Sequence, residues 1–416
     1  MFAISRSKVI ASSTRCFSTL ESAGVKIAAQ QEGASAYGSK LSVVVRGGSR
    51  YNTKPGVAHV LEKFAFKNNN HKSALRLTRE AELVGAQLTS GVSRENIVLS
   101  ANFLKEDLEY FVQNLGAVVN GTVFNKYELV ERVAPLVAAE VNHANSDPVY
   151  LATEAAYETA FRSGLGNSVL AEAHSPVTIE DVVDYASKVY NKSNIALVAS
   201  GVIPADLQKF VANSYFAELS AGSALKAESV KTFSGESRIK AAGVNAVTVA
   251  FPIQGASSAA LAVLAKVVGG KSHIKWANSS SLLGSVAGGV EVSTSVASFS
   301  DASLFYITIS GASASAVSSA AKEAVAAIKT AAAGVSDAAL AAANAQAKLE
   351  AAAVFESFSN EIVGQQALSG SKVGLASLAK VSAEQVKDAA ASLLKGKTVV
   401  SVVGNTHELP HADELF

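Results

Sequence analysis

The sequence predicts an α+β protein of two homologous halves, each a mostly antiparallel sheet covered by helices, and three observations carry that expectation. A helix-then-strand segment, Thr178-Ile-Glu-Asp-Val182 through Asn194-Ile-Ala-Leu-Val-Ala-Ser-Gly201, returns about 204 residues later as Ser382-Ala-Glu-Gln-Val386 through Thr398-Val-Val-Ser-Val-Val-Gly404. At the same offset Gly85-Ala-Gln-Leu88 answers to Gly289-Val-Glu-Val292, each opening a β-rich stretch. Around both pairs the periodicities come in one order: strand, helix, strand pair, helices, strand. Repetition at that scale means a duplicated fold, and strands grouped with runs of helices belong to the α+β class.

In the first half, residues 40–46 hold a β-branched run that reads as a strand. Residues 57–67 carry apolar side chains at Val57, Val60, Leu61 and Phe64, the i, i+3, i+4, i+7 spacing of a helix. Residues 74–84 read as a second helix. The stretches 86–89 and 96–103 form two antiparallel strands, and helices follow at 106–119 and 127–142. The second half repeats this with a strand at 246–251, a helix at 257–268, strands at 290–295 and 303–310, and helices from Ala314 and Asp337. Both copies of the closing helix begin with a hydroxyl N-cap, Thr178 and Ser382. Residues 218–239, rich in Ser, Lys, Glu and Gly, read as the connection. The expected division is therefore 18–217 and 240–416 for the two halves, with 218–239 as linker.

Composition limits the function. A chain of 416 residues, 49% hydrophobic and 17% charged, buries a sizeable core and is not disordered. The formal charge of +1 argues against a dedicated nucleic-acid binder. One cysteine, Cys16, excludes an intrachain disulfide framework and a CxxC site. The mean hydropathy of +0.25 comes from alanine, and no window approaches the ~18 uninterrupted apolar residues of a membrane span.

The first twenty residues hold Arg6, Lys8 and Arg15, seven hydroxyl residues and no acid, the composition of a mitochondrial transit peptide, and are expected to lie outside the fold. Arg15-Cys16-Phe17-Ser18 resembles a matrix-processing site cut between Phe17 and Ser18, which makes 1–17 the transit segment. Removal of its three cations takes the formal charge to −2 and removes the only thiol.

The segment Gly56-Val-Ala-His59-Val-Leu-Glu62-Lys63-Phe-Ala-Phe66 places His59, Glu62 and Lys63 on one helix face. Its pattern, His-x-x-Glu-Lys, is one residue away from the inverted zinc motif His-x-x-Glu-His. By this motif and by the duplicated halves, the chain resembles the pitrilysin-type metallopeptidases along its whole length. That resemblance implies a third, distal zinc ligand, a glutamate, and the matching position, 77 residues beyond Lys63, holds Glu140. It also implies a glutamate seven residues before Glu140, where this chain has Val133. Lys63 stands at the second ligand position, and an ammonium has no lone pair for a metal. We therefore expect no catalytic residue, no metal and no cofactor. His59, Glu62, Lys63 and Glu140 are vestigial motif positions, with Lys63 paired to Glu140 where zinc would have been bridged.

Glu140-Val-Asn-His143 gives an alternative donor set with His59, but the di-iron pattern needs a second such motif and none is found; His143 is expected to be exposed at a helix end. Gly269-Gly270-Lys271-Ser272 shares the ending of a phosphate loop, yet Ala265 stands where its first glycine belongs.

The stretch from Gly269 through Trp276 to Leu283 has only two glycines where processing-peptidase partner subunits have a glycine-rich loop. With Leu409-Pro-His-Ala-Asp-Glu-Leu415 it resembles the non-catalytic core-protein branch of the family, found in mitochondrial ubiquinol–cytochrome c reductase (complex III). The resemblance implies a structural and assembly role on the matrix side of the inner membrane. It implies core protein 1, cytochrome b, cytochrome c1 and the iron–sulfur protein as partners, and attachment to the membrane through them. The alternative is a subunit of the mitochondrial processing peptidase.

Overall fold

The computed structural model describes residues 17–30, 38–172, 176–255, 257–270, 281–284, 289–357, 360–370 and 381–416. The first half runs β1 (Ser18–Ser22), β2 (Val25–Gln30), β3 (Gly38–Arg46), α1 (Val57–Lys63), α2 (Ala74–Leu83), β4 (Gln87–Val92), β5 (Asn96–Leu104) and α3 (Leu108–Gly121). Then come α4 (Lys126–Glu128), a π turn (Leu129–Val133), α5 (Ala134–Asn145), α6 (Pro148–Phe161), α7 (Ile179–Val189), β6 (Ile195–Ser200) and α8 (Pro204–Ala212). The second half runs β7 (Gly235–Lys240), β8 (Asn245–Gln254), α9 (Ala259–Val268), β9 (Val290–Ser298), β10 (Ala302–Gly311), α10 (Ala314–Ala333), α11 (Asp337–Ser357), α12 (Asn360–Ser369), α13 (Ala383–Lys395), β11 (Val399–Gly404) and α14 (Ala412–Leu415).

Two sheets result, ordered β1-β2-β6-β3-β5-β4 and β7-β11-β8-β10-β9. Apart from the extra edge strand β1 they are the same sheet: β2 with β6 and β7 with β11 are parallel, and every other pairing is antiparallel. Both α7 and α13 open with a full capping box, Thr178 with Asp181 and Ser382 with Gln385, so the repeated sequence signal is a repeated cap.

The central strands are buried on both faces, which is why they read as unbroken apolar runs. In β3, Leu41, Val43 and Val45 face the first-half helices, while Val44 packs with Val363, Ala367 and Leu368 of α12. The second sheet is treated in kind: Ala156, Tyr157, Ala160 and Phe161 of α6 lie on Ala250, Leu304 and Val399. Each half thus lends one helix to seal the other half's sheet. Gly364 is needed for this, since a Cβ there would meet the Val44 Cβ at 2.5 Å.

Three expectations change. Ser18, Thr19 and Leu20 belong to β1, and Phe17 packs against the Val44 cluster, so the fold begins before residue 21. The expected linker 218–239 ends inside β7, a polar edge strand that pairs with β11. The first motif helix stops at Lys63 instead of 67, the chain turning through Phe66 at φ +59°. Residues 1–16 of the expected transit segment 1–17, and most of the stretch containing Trp276, lie outside the described residues.

Candidate functional site

Helix α1 is buried from Val57 to Glu62. Its start is fixed by Asn52, whose Oδ1 accepts the Ala58 N–H at 3.1 Å, and by Gly56 at φ +78°. A side chain at Gly56 would strike the Ala171 Cα at 2.4 Å, so glycine there lets the segment around Ala171 lie on α1. The consequence is chemical: the Ala171 N–H donates to His59 Nδ1 at 3.2 Å. With Nδ1 accepting, the ring proton is on Nε2, which donates to Glu140 Oε2 at 2.8 Å.

Glu140 comes from α5, and the chain reaches it through the π turn at Leu129–Val133. Pro135 lies one turn on, where its missing N–H leaves the Glu131 carbonyl without its α-helical donor. Val133 is fully buried among apolar residues of the first core.

The four motif residues lie together. The Lys63 ammonium lies 2.7 Å from Glu140 Oε1 and 2.9 Å from Glu62 Oε2. Glu62 is 0% exposed and accepts no well-directed hydrogen bond among the described residues, so Lys63 is its charge partner. Burial works against the charge of the Lys63 ammonium, but its ion pairs with Glu140 and Glu62 outweigh it and hold its pKa above the ordinary 10.5. Burial likewise opposes ionisation of Glu140, yet Lys63 and His59 together hold its carboxyl below the ordinary 4.5.

This donor set does not fit zinc. A tetrahedral catalytic site takes three protein ligands and a water. Here one ligand position carries a cation wedged between the two carboxylates, and the His59 nitrogen facing Glu140 carries a proton. His143 is exposed in the last turn of α5 and contributes nothing to the cluster. Nearby, a cleft of about 470 Å³ lies among α5, α6 and residues 166–172, lined by Tyr150, Glu154, Glu158, Ala171 and Ile239. None of the four motif residues lines it.

The linear sequence did not reveal a second polar centre, where the halves meet. Arg50 is buried, with Glu95 Oε1 at 2.7 Å and a bidentate pair to Asp301 at 2.7 Å for each bond. Glu95 also accepts from the Ser300 N–H and hydroxyl and from the Gln365 amide. Beside it Arg94 pairs with Glu154 at 2.6 Å and lies over the Tyr157 ring. Glu95 and Asp301 each stand third in the turn of corresponding hairpins, β4–β5 and β9–β10. That correspondence, 206 residues apart, is the one sequence signal that could have drawn attention to them.

Residues 26–173 match the family model described as insulinase (peptidase family M16), and residues 176–347 match the peptidase M16 inactive domain. Cytochrome b-c1 complex subunit 2 of Yarrowia lipolytica is 45% identical over 98% of this chain and 98% of its own. The subunit of the same name from Cryptococcus neoformans is 37% identical over 96% of this chain and 94% of its own. A processing-peptidase α subunit of Solanum tuberosum is more distant, 29% identical over 39% of this chain and 33% of its own.

Proposed function

Since this chain belongs to the insulinase (M16) peptidase family, and within it to the cytochrome b-c1 complex subunit 2 proteins, we propose that it is a structural and assembly core subunit of mitochondrial complex III, with no catalysis of its own. The single observation that carries the absence of catalysis is the Lys63 ammonium between Glu62 and Glu140, where a peptidase would hold its metal. Without a metal-bound water, Glu62 has nothing to deprotonate. The chain is a peptidase fold reused as a building block in an electron-transfer complex, in the place of core protein 2.

The finer reading is that it sits on the matrix side of the inner membrane, paired with core protein 1 and supporting cytochrome b, cytochrome c1 and the iron–sulfur protein. Among the described residues no single helix is long and apolar enough to cross a membrane, which favours attachment through protein partners. We also propose cleavage between Phe17 and Ser18: Ser18 opens β1, so the cut falls at the edge of the described fold. Intact mass of the mature protein tests this directly and should start at Ser18; a mature chain retaining Met1 overturns the transit-peptide reading.

Deleting the chain tests the assembly role. Assembled complex III should fall in native gels of mild detergent extracts, with presequence processing unchanged. Full assembly without the chain, or a loss of processing instead, would sink this proposal.

A further inference from the structure

The two halves are joined by more than the connection between them, and the join has the form of a lock. The turns of the corresponding hairpins β4–β5 and β9–β10 have the same backbone closure, Ser93 N–H to Asn96 carbonyl at 2.8 Å and Phe299 N–H to Ala302 carbonyl at 2.9 Å. They meet around one buried guanidinium, so that Glu95 from the first half and Asp301 from the second bind the same Arg50. Arg50 also reaches the Glu228 carbonyl in the connecting segment at 3.1 Å. The helix that crosses over is tied to the same place: Gln365 of α12 donates to Glu95, while Glu361 accepts from Ser93 and from Asn96. On the other side Arg94 fixes α6 through Glu154 and Tyr157, and Tyr157 in turn packs edge-on to Phe299 and Tyr306 of the second half.

We propose that this hairpin-to-hairpin cluster, with Glu95 and Arg50 at its centre, is an ionic lock that fixes the angle between the halves and makes both exchanged helices one cooperative unit. The physical basis is the cost of opening it. Separating the turns takes the bidentate Asp301 carboxylate from a guanidinium with 2% side-chain exposure and takes the Ser300 and Gln365 donors from the Glu95 carboxylate, 6% exposed, so that Arg50 and Glu95 are left with only each other. Neither exchanged helix can lift alone, because each leaves a polar end of the same cluster unsatisfied. The lock therefore removes the hinge that two similar halves on one connection would otherwise have. This inference does not rest on the assembly reading.

The experiment uses the full chain with a protease recognition sequence inserted between the exposed residues Lys226 and Ala227. After cutting, the wild-type chain should elute as one species and melt in one transition. Glu95→Gln should give separated or two-step halves. Asp301→Asn, milder because its carboxylate is partly exposed, should speed amide exchange in α6 and α12 together by about tenfold and leave α3 and α10 unchanged. Should Glu95→Gln fail to fold, Asp301→Asn still decides. Cut wild-type halves that drift apart, or variants whose α6 and α12 exchange as in wild type, would overturn the lock.

Discussion

Lys63 is a residue whose charge, not its shape, defines what the site has become. Its ammonium faces one fully buried carboxylate, Glu62, and one partly exposed carboxylate, Glu140. Lys63→Met removes the ion-pair partner of Glu62, and breaking a buried pair from one side costs about 3–5 kcal/mol. Glu62→Met/Lys63→Met should recover most of that loss in urea unfolding; fully additive costs would mean that the two side chains do not depend on each other. The same cluster sets a pH dependence. Glu140, with its pKa lowered, stabilises above its unfolded value of about 4.5, and that contribution is lost as pH falls through the folded value. Lys63, with its pKa raised, stabilises below about 10.5 and loses its contribution as pH rises through the folded value. Wild type should therefore lose stability relative to Lys63→Met at both extremes of pH. A difference that stays flat from the acid to the alkaline extreme would contradict this assignment. Lys63→His alone should yield no presequence cleavage, because Val133 still fills the other acidic position with a buried apolar side chain; any zinc-dependent turnover by that variant would show otherwise.

Among the elements, α12 and α6 show where reading the sequence stops. Most strands of the two cores and the repeated caps at Thr178 and Ser382 were legible, because apolar period and capping chemistry are local; β1 and β2 were not expected, although β2 lays Val25, Ile27 and Ala29 into the first core. Helices α6 and α12 lack a strong apolar stripe: α6 lays Ala156, Tyr157, Ala160 and Phe161 on its sheet, and α12 lays Val363, Ala367 and Leu368 on the other, with Gly364 at the closest approach. That α12 seals the first sheet and α6 the second is a tertiary fact with no linear trace. Strand β7, Gly-Glu-Ser-Arg-Ile-Lys, is a half-exposed edge whose polar composition hid it in the expected linker. The four motif residues were legible as a set, whereas Arg50, Glu95 and Asp301 resembled ordinary polar turn residues until the fold buried or joined them. The packing of α12 makes a sharp prediction. Gly364→Ala puts a Cβ within 2.5 Å of Val44, and overpacking of this kind costs about 1–3 kcal/mol despite alanine's better helix propensity. Gly364→Ala/Val44→Gly removes that Cβ, and its cost should fall below the sum of the two single costs. An unchanged melting temperature for Gly364→Ala would mean that α12 does not bear on the sheet at that point.

At the scale of the whole molecule, a duplicated peptidase-like fold whose sheets are covered by each other's helices still has apolar surface left to bury. Helix α2 exposes Leu75 and Leu83, and the α4–α5 arm exposes Tyr127, Val130 and Leu136. Obligate interfaces are large and apolar, typically above about 2,000 Å². Under the proposed cleavage after Phe17 the formal charge is −2, which would give no attraction to anionic headgroups, whereas basic segments are drawn to them, so charge is expected to supply little of the proposed attachment. Contacts held by apolar burial resist salt, since screening shortens the reach of charges to about 3 Å at 1 M without weakening hydrophobic contact. Washing inner membranes at that ionic strength should therefore leave the chain bound, and chaotropic denaturation should release it. In mild detergent it should migrate with complex III on native gels. Release by salt alone would instead point to an electrostatic, lipid-facing attachment, and migration as a free monomer beside intact complex III would remove the basis for calling it a core subunit.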